Sequence, residues 1–152
     1  MMWVPSAVIA ETLMAIHESG RHDQEGIVIW LGRRSGEDVN VVEPHHPIHE
    51  AKSNMFLIPS AGMRKLQERM RDTRTFVAAQ VHSHPEEAFH SEADVRWAIV
   101  RHEGALSAVL PRFGLRITPS SFLEKAKLFR LNEASTWQEV LGQEAARTWS
   151  QI

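Results

Sequence analysis

The chain of 152 residues contains no cysteine. That absence removes a disulfide framework, a thiolate nucleophile and any cysteine-bound zinc site. Charge of one sign is also lacking: 17 Lys and Arg stand against 19 Asp and Glu, for a formal net charge of -2. A chain so balanced has no basic field for gathering phosphates, so nucleic acid is not an expected partner. No apolar run reaches the length that spans a bilayer, and no membrane partner is expected. The N-terminal MMWVPSAVIAETLMAI lacks a positive n-region, carries Glu11 inside the run and offers no small-residue cleavage site. It reads as an amphipathic helix rather than a leader, which makes the cytoplasm the expected compartment. Glycine and proline are sparse, at 8 and 7, and no repeat, linker or low-complexity stretch is visible. What is present is an ordinary globular composition, 43% hydrophobic and 24% charged. A chain this long buries roughly 68–70% of its unfolded surface, so residues 1–152 are expected to form a single domain. The unusual count is histidine, at 9.

Periodicity places the elements. Ser6 is positioned to cap a helix carrying Val8, Ile9, Leu13 and Ile16, which Gly20 would stop. Residues 25–32, EGIVIWLG, are apolar on successive positions and imply a strand buried on both faces. A turn at 33–38 leads to a strand over 39–42, and 43–50 (EPHHPIHE) reads as loop or edge. A short strand at 55–58 follows, then a helix to about Arg71 that Ser60 is positioned to cap. The spacing then predicts a strand over 76–81, a helix from Ser91 to His102, strands over 105–110, 115–118 and 123–131, and a closing helix over 137–149. Strands and helices mix without strict alternation, which favours an α/β or α+β architecture over a Rossmann-type sheet.

His82-Ser83-His84 falls at the end of one of these strands. Alternation puts residues i and i+2 on one face, so both imidazoles can converge on one ion. Ten residues after His84 comes Asp94, in the first turn of the next helix. Two imidazoles from a strand and a carboxylate from a helix start would leave a fourth position open, the plan of a catalytic zinc site. Ser91-x-x-Asp94 is equally the pattern of a capping box, with Asp94 reaching back to the Ser91 backbone. A hydrolytic zinc centre also needs a carboxylate base that is not a ligand. Glu25 stands at the head of a buried strand, where charge is rare, and is the candidate. The other reading is an exposed residue at the strand's solvent end.

Together, Glu25, His82-Ser83-His84-Pro85 and Ser91-x-x-Asp94 resemble the JAMM (MPN-plus, JAB) zinc metalloprotease family, in its compact bacterial form. In that family the Glu strand ends in a glycine seven residues on, as Gly32 does here. The resemblance covers residues 6–131. The loop PEEAFH is six residues where the family has seven, and Val28 stands where the family tends to carry glycine. The resemblance implies an MPN/JAMM-like central mixed β-sheet flanked by helices, similar to cytidine deaminases. It implies one zinc per chain on His82, His84 and Asp94, Glu25 as general base, and Ser91 as the hydroxyl that polarises the substrate carbonyl. The implied activity is that of an isopeptidase or peptidase cleaving at the C-terminus of a ubiquitin-like modifier. The implied partners are that modifier or its conjugate and the E1- and E2-like enzymes of its pathway. Two other readings stand beside it: a non-catalytic MPN scaffold that binds partners, and a zinc hydrolase for a small amide or sulfur-carrier adduct.

The remaining histidines divide less sharply. His90 reads as a loop residue or a group near the metal, and His45, His46 and His49 as a solvated loop. His17, His22 and His102 read as surface positions. Trp30 and Trp97 are assigned to the core, and Glu86 and Glu87 to a solvated loop.

Overall fold

The computed structural model describes residues 1–47, 49–51, 56–89 and 99–152. Its elements are β1 (Met2–Val4), α1 (Ser6–Arg21), β2 (Ile27–Ser35), β3 (Asp38–His45), β4 (Glu50–Ala51), β5 (Phe56–Leu57), α2 (Ser60–Thr73), β6 (Phe76–Ser83), β7 (Leu106–Leu110), α3 (Phe122–Lys125), β8 (Lys127–Leu131), β9 (Trp137–Val140), α4 (Gly142–Thr148) and β10 (Trp149–Gln151). The architecture is α+β, and an eight-stranded mixed sheet in the order β10-β1-β3-β2-β6-β7-β8-β9 forms its centre.

β2 explains the sheet's two faces. Val28 and Trp30 point into a core formed with Val8, Ile9, Leu13 and Ile16 of α1 and with Phe122 and Trp149. Ile27, Ile29 and Leu31 point the other way, onto Leu66 of α2. Burial on both faces is why this strand reads as a continuous apolar run. Trp30, fully enclosed, donates its indole N–H to Thr12 Oγ1 at 2.9 Å, and Thr12 in turn donates to the Val8 carbonyl. The expectation for Trp30 holds; Trp97 lies outside the described residues.

At one level β2 meets an extra residue on both sides. Its pairing with β6 slips between Trp30 and Leu31, leaving Ala78 unmatched, and its pairing with β3 slips between Leu31 and Gly32, leaving Val42 unmatched. Such bulges bend a strand and crowd its neighbours. Gly32 sits where they crowd: a Cβ there would lie 3.0 Å from both the Ala78 Cβ and the Asn40 carbonyl oxygen. Gly32 therefore stands inside the strand, where nothing larger fits, and β2 runs on to Ser35 instead of ending at residue 32 in a turn.

Several elements differ from the expected ones. Met2–Val4 is a strand, not helix, paired in parallel with β3 and β10. Pro5, at φ -62 and ψ 139, turns the chain from it into α1. The residues at the helix N-caps are Pro5 and Pro59, and neither Ser6 nor Ser60 caps; Ser6 Oγ donates to the Ile152 carbonyl instead. α1 runs through Gly20 to Arg21, because Gly20 is there for close approach: a Cβ would come within 2.7 Å of the Phe113 Cβ. β2 begins at Ile27, so Glu25 and Gly26 precede it, and β3 extends to His45. Pro44 is tolerated within β3 because β1 pairs only with Val39 and Asn40, leaving that side of β3 open further on.

Residues 115–118 are turn and coil, not a strand. The span 123–131 divides into α3 and β8. The expected closing helix is β9, α4 and β10: Trp137 and Val140, buried three apart, imitate a helical stripe, but β9 pairs with β8 in antiparallel register. Of the helix expected over 91–102, residues 91–98 lie outside the described residues, and 99–102 are not helical. No helix among the described residues is long and apolar enough to cross a membrane.

Candidate metal centre

β2 and β6 run antiparallel with Ile27 opposite His82. Two residues further along both chains, Glu25 comes opposite His84, and Gly26 opposite Ser83. Side chains two apart share a face. Glu25, His82 and His84 therefore stand together on the side of the sheet that carries Ile27 and Ile29, away from α1. All three are enclosed, at 0%, 0% and 2% exposure. The rings of His82 and His84 lie 5.2 Å apart, edge to face at 68°. Glu25 Oε1 lies 3.0 Å from His84 Nδ1.

Among the described residues no hydrogen-bond donor satisfies either oxygen of Glu25. A buried carboxylate without donors costs several kcal/mol unless charge meets it. Imidazole nitrogen and carboxylate oxygen, with no thiolate nearby, are donors that a zinc ion accepts. The residues present fit such an ion. Asp94, the expected third ligand, and Ser91 lie outside the described residues, as does His90. Among the described residues alone, no three His, Asp or Glu side chains make a complete metal site.

The backbone of His84 is gripped from the far side. His84 N–H donates to the Leu110 carbonyl at 2.9 Å, and Phe113 N–H donates to the His84 carbonyl at 2.7 Å. To bring Phe113 back, the chain after β7 takes three successive left-handed residues, Arg112, Phe113 and Gly114, at φ 51, 55 and 69. Left-handed backbone strains the two that are not glycine, and only firm packing sustains it. The buried Phe113 side chain packed against Gly20 of α1 supplies that. Over the other side of His84 lies Phe89, stacked at 4.5 Å and 20° yet 49% exposed. Sequence reasoning missed both phenylalanines. A lone aromatic in the polar loop PEEAFH was the available signal for Phe89; nothing local marks Phe113. Glu86 and Glu87 are exposed, as expected.

The other histidines depart in part from their expected places. His17 is half-buried and within 2.7 Å of the Gly114 carbonyl, whereas His22 and His102 are exposed. His45 closes β3 opposite Ile29 instead of lying in a solvated loop. Burial holds its imidazole below the usual histidine range, with His46 and Arg69 pushing the same way against Glu43. His46, exposed as expected, is lowered as well by the partial desolvation of its ring, with Glu11 opposing and His49 adding to it. Because the folded state binds these protons less tightly, their contribution to stability is complete above the unfolded pKa of about 6.5 and is lost as pH falls through the folded values. Between about pH 7.5 and about pH 5.5 the melting temperature should fall less steeply in a His45→Gln/His46→Gln variant than in the wild type. Thermal melts in matched buffers measure the two slopes.

A family model described as prokaryotic homologs of the JAB domain matches residues 8–111, a span that includes Glu25, His82, His84, Ser91 and Asp94. A curated protein of Sinorhizobium fredii (strain NBRC 101917 / NGR234), named Probable metalloprotease y4jG, is 26% identical over 141 residues, covering 90% of this chain and 85% of its own. In fold, the chain is similar to the solution structure of protein DSY2949 from Desulfitobacterium hafniense. The TM-score is 0.69 at 16% identity, over 100% of this chain and 93% of that one.

Proposed function

The chain belongs to the family of prokaryotic JAB-domain homologs, and from that premise we propose that it is a zinc-dependent peptidase or isopeptidase acting at the C-terminal tail of a ubiquitin-like protein. The observation that carries the reading is the Glu25 carboxylate: fully enclosed, without a hydrogen-bond donor among the described residues, and against the imidazole of His84. The curated relative's name supports a metallopeptidase-like activity; the choice of modifier rests on the family resemblance of the motif.

In this mechanism His82, His84 and Asp94 would hold the zinc. When bound, it would polarise a carbonyl and make a water molecule acidic enough to lose its proton near neutral pH. Glu25 receives that proton. With Oε1 resting against His84, Oε2 is the oxygen left to take it, and the same carboxyl then delivers it to the nitrogen of the leaving amine. Ser91 donates its hydroxyl to the substrate carbonyl oxygen as negative charge develops there. A flexible tail, held extended by strand addition beside the site, suits such a centre. The implied partners are the modifier or its conjugates and the E1- and E2-like enzymes that charge it.

Incubating the protein with a panel of ubiquitin-like fusions, read by mass spectrometry, tests the substrate class; no cleavage of any fusion by zinc-loaded protein would defeat it. Ser91→Ala should lower turnover by about 10²–10³. A loss of only about 0.5–2 kcal/mol in stability with turnover intact would make Ser91 a helix cap alone.

A further inference from the structure

Between the two metal-facing histidines stands Ser83, fully buried and pointing to the opposite face of the strand. Its hydroxyl is turned to the Gly26 backbone and not to Glu25, His82 or His84. Its partner across the ladder is Gly26, the residue that follows Glu25. Ser83 N–H donates to the Gly26 carbonyl at 3.1 Å, a regular rung. The reciprocal rung is not backbone to backbone: Gly26 N–H donates to Ser83 Oγ at 2.9 Å. In a regular antiparallel pair the second bond would run to the partner's carbonyl. At this level β6 is leaving β2, because its next residue, His84, is drawn to Leu110 on β7 and to Phe113. The hydroxyl spans the opening that results.

We propose that Ser83 is a positioning residue whose hydroxyl fixes Gly26, and through it the Glu25 carboxylate, at the height of His84. Glu25 precedes β2 and has no ladder of its own, so its backbone is held by its two neighbours: Gly26 by the Ser83 clasp on the strand side, and Gln24, whose N–H donates to the Ser19 carbonyl at 3.1 Å, on the helix side. Glu25 itself makes no side-chain hydrogen bond among the described residues. Its location against His84 is thus inherited from the backbone beside it. The inference deepens the hydrolytic reading above and rests on it for its kinetic arm.

The test compares Ser83→Ala with Ser83→Thr, which keeps the hydroxyl, and with Ser83→Cys, which keeps the shape but accepts hydrogen bonds poorly. Four quantities are read on the zinc-loaded full chain. Amide hydrogen exchange at Gly26 should quicken by about tenfold or more in the Ala and Cys variants. The kcat should fall by about 10–100-fold, with KM and zinc affinity, the latter by chelator competition, within about threefold of wild type. Thr should restore exchange and kcat. Unchanged Gly26 exchange in both Ala and Cys variants would overturn the clasp. Quickened exchange with kcat at its wild-type value would reduce Ser83 to a structural role and overturn the positioning. If wild-type protein hydrolyses nothing, the reaction proposed above is what fails, and Gly26 exchange still decides the clasp.

Discussion

Glu25→Gln is expected to bind zinc as the wild type does and to lose about 10²–10⁴ in hydrolysis, the usual contribution of a positioned general base. The substitution conserves size and leaves an oxygen able to accept a hydrogen bond, so the enclosed space beside His84 stays filled. What it removes is the ability to take up a proton. Substrate affinity should be spared, since in the proposed reaction the carboxylate acts on the water rather than on the tail. Zinc content and turnover are to be measured on the same preparations. Loss of zinc would make Glu25 a ligand, and undiminished turnover would remove it from the mechanism. Glu86 and Glu87 would then be next in line, although both are exposed.

The proposed ligands should fail in a different manner. His82→Ala and Asp94→Ala are each expected to lose bound zinc and hydrolysis together, to the level of wild-type protein stripped by a chelator. His82 is fully buried, so its truncation also leaves a cavity and some loss of stability. Circular dichroism at the assay temperature separates an unfolded variant from a folded one without metal. Adding zinc back should revive the stripped wild type and neither variant. A His82→Ala protein that retains a full equivalent of zinc with normal turnover would displace the ligand assignment.

Much of this centre was legible in the sequence because strand geometry is simple. A period of two puts His82 and His84 on one face whatever surrounds them, and the apolar run 27–31 could only be a strand covered on both sides. The sequence left Glu25 open between a buried position and an exposed strand end; the antiparallel pairing of β2 with β6 is what buries it opposite His84. The illegible parts are those set by distant packing. Nothing near Phe113 announces three left-handed residues; they exist because α1, nearly a hundred positions earlier in the chain, offers Gly20 to receive the ring. The C-terminal third misled for a related reason. Trp137 and Val140 show a helical interval, yet β8 was already waiting as a partner, and tertiary pairing overrides a short local pattern. Ser6 and Ser60 misled because each follows a proline whose fixed φ already provides the entry into the helix.

The paired irregularities around Gly32 divide the central strand into two lengths that keep time separately. On the side of Ile27–Trp30 the count between β2 and β6 fixes which face each residue shows, and a single inserted or deleted residue would swing Glu25 away from His84. On the side of Arg33–Ser35 the count starts afresh, because Ala78 and Val42 have already absorbed a step. The hairpin tip at Gly36 can therefore lengthen, shorten or accept a graft with no change of phase reaching the histidines. Variation between relatives should accumulate there, and the interval from Glu25 to Gly32 should hold at its present number of residues.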